Sequence, residues 1–241
     1  MEVDIFIPCF IDQLYPQVAF NTIKVLEKLG CQVHYNPDQT CCGQPAYNAG
    51  YFNEATEVAE KFLADFTTPR RYIVSPSASC VGMVCNSYED LFKKSTQNRK
   101  FQEIKGKIHE FSDFVVNVLG VEKVPGSRLE GVATYHDSCS ALRECGIKEE
   151  PRKLLRNVEG LVLKEMEETD QCCGFGGTFA VKFESISVGM SEQKLEHAAK
   201  VNPDFLISTD SSCLLQLGSV ISQKEMPIKP MHLVDVLASG W

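Results

Sequence analysis

Eight of the 11 cysteines form two copies of one figure. The first is Cys9, the adjacent pair Cys41–Cys42 and Cys80; the second is Cys139, Cys172–Cys173 and Cys213, displaced by 130 to 133 residues. Such regularity marks a duplicated unit, each copy of which gathers four thiols into one of two equivalent sites. Adjacent cysteines diverge too much to chelate a single tetrahedral zinc comfortably, and zinc sites favour spacings of two to four residues. A pair instead suits a multi-metal cluster, in which neighbouring thiolates reach different irons. Soft donors kept reduced therefore favour iron–sulfur chemistry over zinc, which stays as the alternative. All eight cysteines are the expected metal ligands. Gly43, Gly174, Gly176 and Gly177 follow the pairs and are expected to let the backbone approach a bulky inorganic core.

Other groups carry weaker signals. His136 and Asp137 stand just before Cys139, where the first copy has Phe6 and Ile7. They read as a hydrogen-bonded strand end or, with His136 as catalytic donor or acceptor, as a site coupling protons to electrons. Arg143 suits a cluster counter-charge, a substrate carboxylate or an ordinary helix surface. Cys31 and Cys145 read as small core residues. Gly174-Phe175-Gly176-Gly177 lacks the lysine of a phosphate loop.

The elements that must position these thiols also repeat. An apolar run, Tyr72–Ser75, leads to Ser79-Cys80 as Phe205–Ser208 leads to Ser212-Cys213, the pattern of a buried strand emptying into a turn and helix. Each half reads as strand, helix, strand, cysteine pair, helix, strand, cysteine, helix and a closing strand–helix. In the first half the expected strands are 3–7, 32–36 and 72–75, with helices over 15–29, 53–66, 81–92 and 111–119. In the second they are 132–135, 161–165 and 205–208, with helices over 151–156, 184–201, 214–222 and 233–238. This alternation predicts an α/β fold of two Rossmann-like repeats, each a small parallel sheet flanked by helices. Lys94–Lys107 and Gly120–Glu130 read as connectors, and the second sets the boundary between modules 1–125 and 126–241. Cys9, Cys80, Cys139 and Cys213 fall just past strand ends, where open parallel sheets bind ligands and helix N-termini favour a thiolate.

Composition narrows the class. A 241-residue chain that is 44% hydrophobic can bury a core without disulfide staples. The acidic start Met1-Glu2-Val3-Asp4 shows no secretory signal, and no apolar run reaches the ~18 residues of a membrane span. A cytoplasmic location follows, where thiols serve metal or redox chemistry. A net charge of −8 with no basic footprint argues against nucleic acid. The one basic stretch, Lys93 to Lys107, reads as a solvated linker or, alternatively, a patch for an acidic partner.

The motifs Ile7-Pro8-Cys9-Phe10, Cys41-Cys42-Gly43-Gln44-Pro45, Tyr135-His136-Asp137-Ser138-Cys139 and Cys172-Cys173-Gly174-Phe175-Gly176-Gly177-Thr178-Phe179 resemble the cysteine-rich CCG family. That family supplies the cysteine-rich module of heterodisulfide reductase and of the iron–sulfur subunits of glycolate and anaerobic glycerol phosphate dehydrogenases. The resemblance implies two pseudo-twofold α/β halves and iron–sulfur binding, and the four thiols of each half suit an ordinary 4Fe–4S cluster or one zinc. It also implies electron transfer beside sister subunits, a ferredoxin-type protein and a third chain, in oxidising L-lactate to pyruvate, the chain being inactive alone. In heterodisulfide reductase each module adds a fifth cysteine, three residues after the last. Here Met83 and Gln216 hold those places. Cys85, five residues past Cys80, would point about 140° away on a helix. A thiol–disulfide oxidoreductase and a non-enzymatic zinc scaffold are the rival expectations.

Overall fold

The computed structural model describes residues 1–68 and 70–241. The first half runs β1 (Glu2–Ile5), α1 (Cys9–Leu14), α2 (Pro16–Lys28), β2 (Gln32–Tyr35), α3 (Gln44–Asn48), α4 (Phe52–Asp65), β3 (Tyr72–Ser75), α5 (Ala78–Gly82), α6 (Tyr88–Phe92), α7 (Asn98–Lys105), β4 (Ile108–Glu110) and α8 (Phe111–Asp113). The second runs β5 (Arg128–Tyr135), α9 (Glu149–Arg156), β6 (Glu159–Leu163), α10 (Thr178–Lys182), α11 (Glu184–Ala199), β7 (Phe205–Ser208), α12 (Ser211–Gln223), β8 (Lys229–His232) and α13 (Leu233–Leu237). Wide π-helical turns cover Met83–Ser87, Phe114–Val118 and Ser140–Glu144.

Two four-stranded sheets result, ordered β2-β1-β3-β4 and β6-β5-β7-β8, with every pairing parallel. Their inner strands bury apolar side chains because both faces are covered: Val3, Ile5, Ile73, Val74, Leu206 and Ile207 are fully buried. The α/β architecture with two repeats is as the sequence predicts. One core joins the halves, drawing Val3, Val74, Phe111 and Phe114 together with Tyr135, Leu154, Ile207 and Leu233. The packing between halves is reciprocal. Helix α2 of the first half packs on α13 of the second, and α9 packs on α8 and the turn behind it.

Several expectations change. The expected helix over 111–119 is α8 running into the π turn Phe114–Val118, and the expected connector Gly120–Glu130 ends inside β5. The stretch read as the connector Lys94–Lys107 contains α7, because Phe101 and Ile104, one turn apart, are buried against the first-half core while the lysines and Arg99 face outward. The expected continuous helix over 81–92 is α5 and α6 joined by a π turn. That turn widens the backbone by one residue just after Cys80.

Candidate metal centre

In each sheet the chain leaves the first strand toward one neighbour and returns on its other side, so a crevice opens at the carboxyl ends of β1 and β3, and of β5 and β7. Cys9 opens α1 directly after β1, and Cys80 is the third residue of α5 after β3. Cys139 precedes the π turn after β5, and Cys213 is the third residue of α12 after β7. The adjacent pairs come over from the loops behind β2 and β6. Folding thus converts sequence steps of more than 30 residues into direct contact: the Cys42 and Cys80 sulfurs lie 3.4 Å apart.

Within the first quartet Cys41 touches both Cys42 and Cys9. Their thiol hydrogen bonds, with the Gly43 N–H donating to Cys41 Sγ at 3.4 Å, hold Cys41 far below the usual thiol range. Cys9 and Cys42 are pushed up, because each donates to Cys41 and loses solvent around its sulfur, Cys42 completely and the exposed Cys9 in part. The second quartet repeats this. Cys172 accepts from Cys139, Cys173 and the Gly174 N–H and is driven down, while Cys139 and Cys173 are driven up. Cys41 and Cys172 are therefore favoured as the thiolates of their quartets, whereas Cys9, Cys42, Cys139 and Cys173 release their protons more readily to a bound cation.

All eight cysteines line a single cavity of about 360 Å³, where the sequence suggested two separate sites. Reciprocal packing turns the two crevices toward one another. Asp210, ahead of Cys213, reaches across: its carboxylate accepts from the Ser79 N–H at 3.1 Å and from Ser212 Oγ at 2.8 Å. Phe10 and Phe175, one from each half, meet on the cavity wall with ring centroids 6.0 Å apart.

The glycines divide by role. Gly176 and Gly177 line the cavity, whereas Gly43 and Gly174 do not. Those two have φ near +90° and abut a helix. A Cβ on Gly43 would sit 3.2 Å from the Ala55 carbonyl oxygen, and one on Gly174 would collide with that of Ser187. They let α4 and α11 press on the cysteine turns, a packing demand and not an approach to the cavity.

His136 is completely buried behind Cys173 and Cys213, and the three ligand atoms lie within 4.8 Å of one another. It is no hydrogen-bonded strand end: only its backbone is paired, and neither ring nitrogen has a partner among the described residues. Nor does it line the cavity. Burial, with the Lys194 charge nearby, pushes its pKa down to about 3, so the imidazole is neutral. Asp137 points away into a two-pronged ion pair with Arg152, both contacts 2.8 Å, and Arg152 also holds Glu165. This is scaffold. Arg143 is an exposed residue donating to the Asp170 carbonyl. Cys31 is buried in the shared core, Cys145 donates to the Ala78 carbonyl, and Cys85 packs on the first-half core outside the cavity.

Sequence reading missed Lys194 and Asp210. The Lys194 ammonium is buried, donating to the carbonyls of Glu168 and Thr169 at 2.7 Å, and desolvation pushes its pKa down to about 8. Its signal was a lysine on the inward face of an expected helix. The donor set, two contacting groups of four cysteine sulfurs with a neutral imidazole behind one of them, could hold a soft metal.

A cysteine-rich domain family model, CCG, matches residues 3–85 and 133–218. The chain is 43% identical over 240 residues to a protein from Geobacillus sp. (strain WCH70) called lactate utilization protein A, covering 99% of this chain and all of that one. It is 44% identical over 238 residues to a protein of that name from Halalkalibacterium halodurans, covering 98% and 96% of the two chains. A crystal structure of a hypothetical protein from Helicobacter pylori has the same fold, with a TM-score of 0.63 at 13% identity, over 99% of this chain and 48% of that one.

Proposed function

Because the chain belongs to the cysteine-rich CCG domain family, among the lactate utilization A proteins, we propose that it carries electrons in lactate oxidation through two iron–sulfur centres. Cys9, Cys41, Cys42 and Cys80 hold one, and Cys139, Cys172, Cys173 and Cys213 hold the other. The observation that carries this reading is the convergence of both quartets on one cavity. Each bound cluster supplies reversible one-electron storage. The chain's own residues do the rest. Cys41 and Cys172 offer ready thiolates, backbone N–H groups of Gly43 and Gly174 donate to sulfur, and burial of Cys42, Cys80, Cys173 and Cys213 keeps water off the inner ligands.

The relatives' name supports lactate as the metabolite served. The chain shows no flavin or nicotinamide fingerprint, so the hydride chemistry belongs to partner subunits, one of them of ferredoxin type. All 11 cysteines are free thiols, which suits a reducing, cytoplasmic setting, and no helix among the described residues is long and apolar enough to cross a membrane.

The test is purification without oxygen, followed by iron and sulfide analysis, an absorption spectrum and EPR of the reduced protein. Two paramagnetic clusters that become reduced on adding L-lactate with the partner subunits support the assignment. A colourless protein with stoichiometric zinc overturns it. The shared cavity also suits a disulfide substrate lying between the quartets, and turnover of a small disulfide by the reduced protein alone would favour a thiol–disulfide oxidoreductase.

A further inference from the structure

We propose that the His136 imidazole is a nitrogen ligand of the metal centre in the second half, beside Cys173 and Cys213, so that the chain's two centres are chemically different. The inference rests on the metal-binding reading above and adds a donor to one of its two sites.

Three observations converge on His136. Its ligating nitrogen and the Cys173 and Cys213 sulfurs lie within 4.8 Å of one another, a spacing one metal ion can bridge. The side chain is fully buried, and neither ring nitrogen meets a donor or acceptor among the described residues. Buried polar groups of folded proteins are ordinarily paired, so an imidazole isolated against two sulfurs lacks a partner that a metal would supply. Imidazole is also an accepted donor to iron in sulfur-ligated clusters, where it raises the reduction potential relative to thiolate.

The duplication supplies an internal control. Gly43 abuts Ala55 and Gly174 abuts Ser187, which aligns α4 with α11 and brings Phe62 into register with Lys194. In the first half the place of His136 is taken by Phe6, whose ring packs edge-on against Phe62 with centroids 4.9 Å apart. In the second half both aromatic rings are replaced, by His136 and Lys194. The change runs through the surroundings. Gln216, where the first half has Met83, donates to Ser187 and Ser191 at 3.0 Å, and Ser191 donates to the Cys173 carbonyl at 2.7 Å. The wall behind the first quartet, apolar apart from the Tyr88 hydroxyl donating to the Cys42 carbonyl at 2.9 Å, has thus become a more polar wall behind the second. Apolar packing alone requires no histidine there, since Phe6 meets that need in the first half.

The experiment labels histidine with ¹⁵N, purifies the protein without oxygen and examines both reduced centres by pulsed EPR, with iron and sulfide measured on the same samples. The expected result is strong histidine-nitrogen coupling on one centre only, lost in His136→Phe, which copies the first-half residue. His136→Cys is the second variant. It restores a thiolate, should keep the centre filled, and should show no nitrogen coupling and a potential lowered toward that of the first centre. Two filled centres without histidine coupling, or coupling that persists in His136→Phe, overturn the ligand assignment alone. Protein that holds no iron overturns the iron–sulfur reading and this assignment with it.

Discussion

Cys42 and Cys80 touch, sulfur to sulfur at 3.4 Å, although 38 positions separate them in the chain. The contact exists because the loop behind β2 crosses the end of the sheet to meet the first turn of α5. A quartet assembled this way has no spare thiol. Cys80→Ala is therefore expected to remove one centre, and Cys213→Ala the other, each lowering iron and sulfide to about half and erasing one of two EPR signals. Loss of both signals in either variant would show that the quartets do not bind independently.

Gly174 and Gly177 both have positive φ but differ in their surroundings. A Cβ on Gly174 collides with the Ser187 carbonyl, whereas one on Gly177 meets nothing within 4 Å. Gly177→Ala should cost about 1–3 kcal/mol, the backbone penalty alone for an L residue at φ 60° and ψ −106°. Gly174→Ala must also displace α11 and should cost roughly 3–5 kcal/mol. Urea unfolding of the two variants side by side measures the gap, and equal losses would refute the packing role.

Arg152 and Asp137 form a buried ion pair, with side chains 4% and 1% exposed. Removing one partner strands a charge. Arg152→Met is expected to destabilise the fold by about 3–5 kcal/mol. Adding Asp137→Leu should recover most of that loss, because a buried pair replaced by apolar side chains is often close to neutral. A double variant no better than the single would mean that Arg152 acts chiefly through Glu165 and the Lys148 carbonyl, its other contacts.

Glu110 caps the closing helix of the first half, accepting from the Ser112 and Asp113 N–H groups, and burial pushes its pKa up to about 8 from 4.5. The folded state thus keeps a proton that the unfolded chain gives up at lower pH. Linkage then makes stability fall as pH rises between about 4.5 and 8. Below that window both states are protonated and the penalty is absent. Glu110→Gln retains an acceptor for the cap and should flatten the decline, with a benefit of up to about 5 kcal/mol above pH 8. Thermal denaturation across that pH range reads the slope, and an unchanged slope would place the titration elsewhere.

Lys194 is a buried cation beside the second quartet, held by two backbone carbonyls, where the first half has Phe62. A positive charge stabilises the reduced, more negative state of a neighbouring cluster. Lys194→Met should therefore lower the potential of the second centre and leave the first unmoved, as read by EPR-monitored redox titration. Equal shifts at both centres would argue that the lysine acts through the general stability of the fold.

Much of this was legible along the chain. The repeated cysteines, the apolar runs Tyr72–Ser75 and Phe205–Ser208 and the alternation of strands and helices define a duplicated α/β unit, because parallel strands buried on both faces leave a local apolar signature. Helix α7 was not legible, since two buried residues, Phe101 and Ile104, anchor it within a run of lysines and polar groups. Local pattern cannot report which surface a short helix finds.

Amino-acid order alone determined which thiols belong together and that they come in two equal sets, because spacing survives duplication. Tertiary structure decided that both sets face one cavity, that Asp210 of one half reaches Ser79 of the other, and that His136 and Lys194 stand behind one quartet where Phe6 and Phe62 stand behind its twin. The physical reason is range. Strand and helix propensities act over a few residues, whereas dielectric, charge and ligand geometry at a sulfur depend on side chains tens of positions away, brought near only when the two sheets close on their shared core.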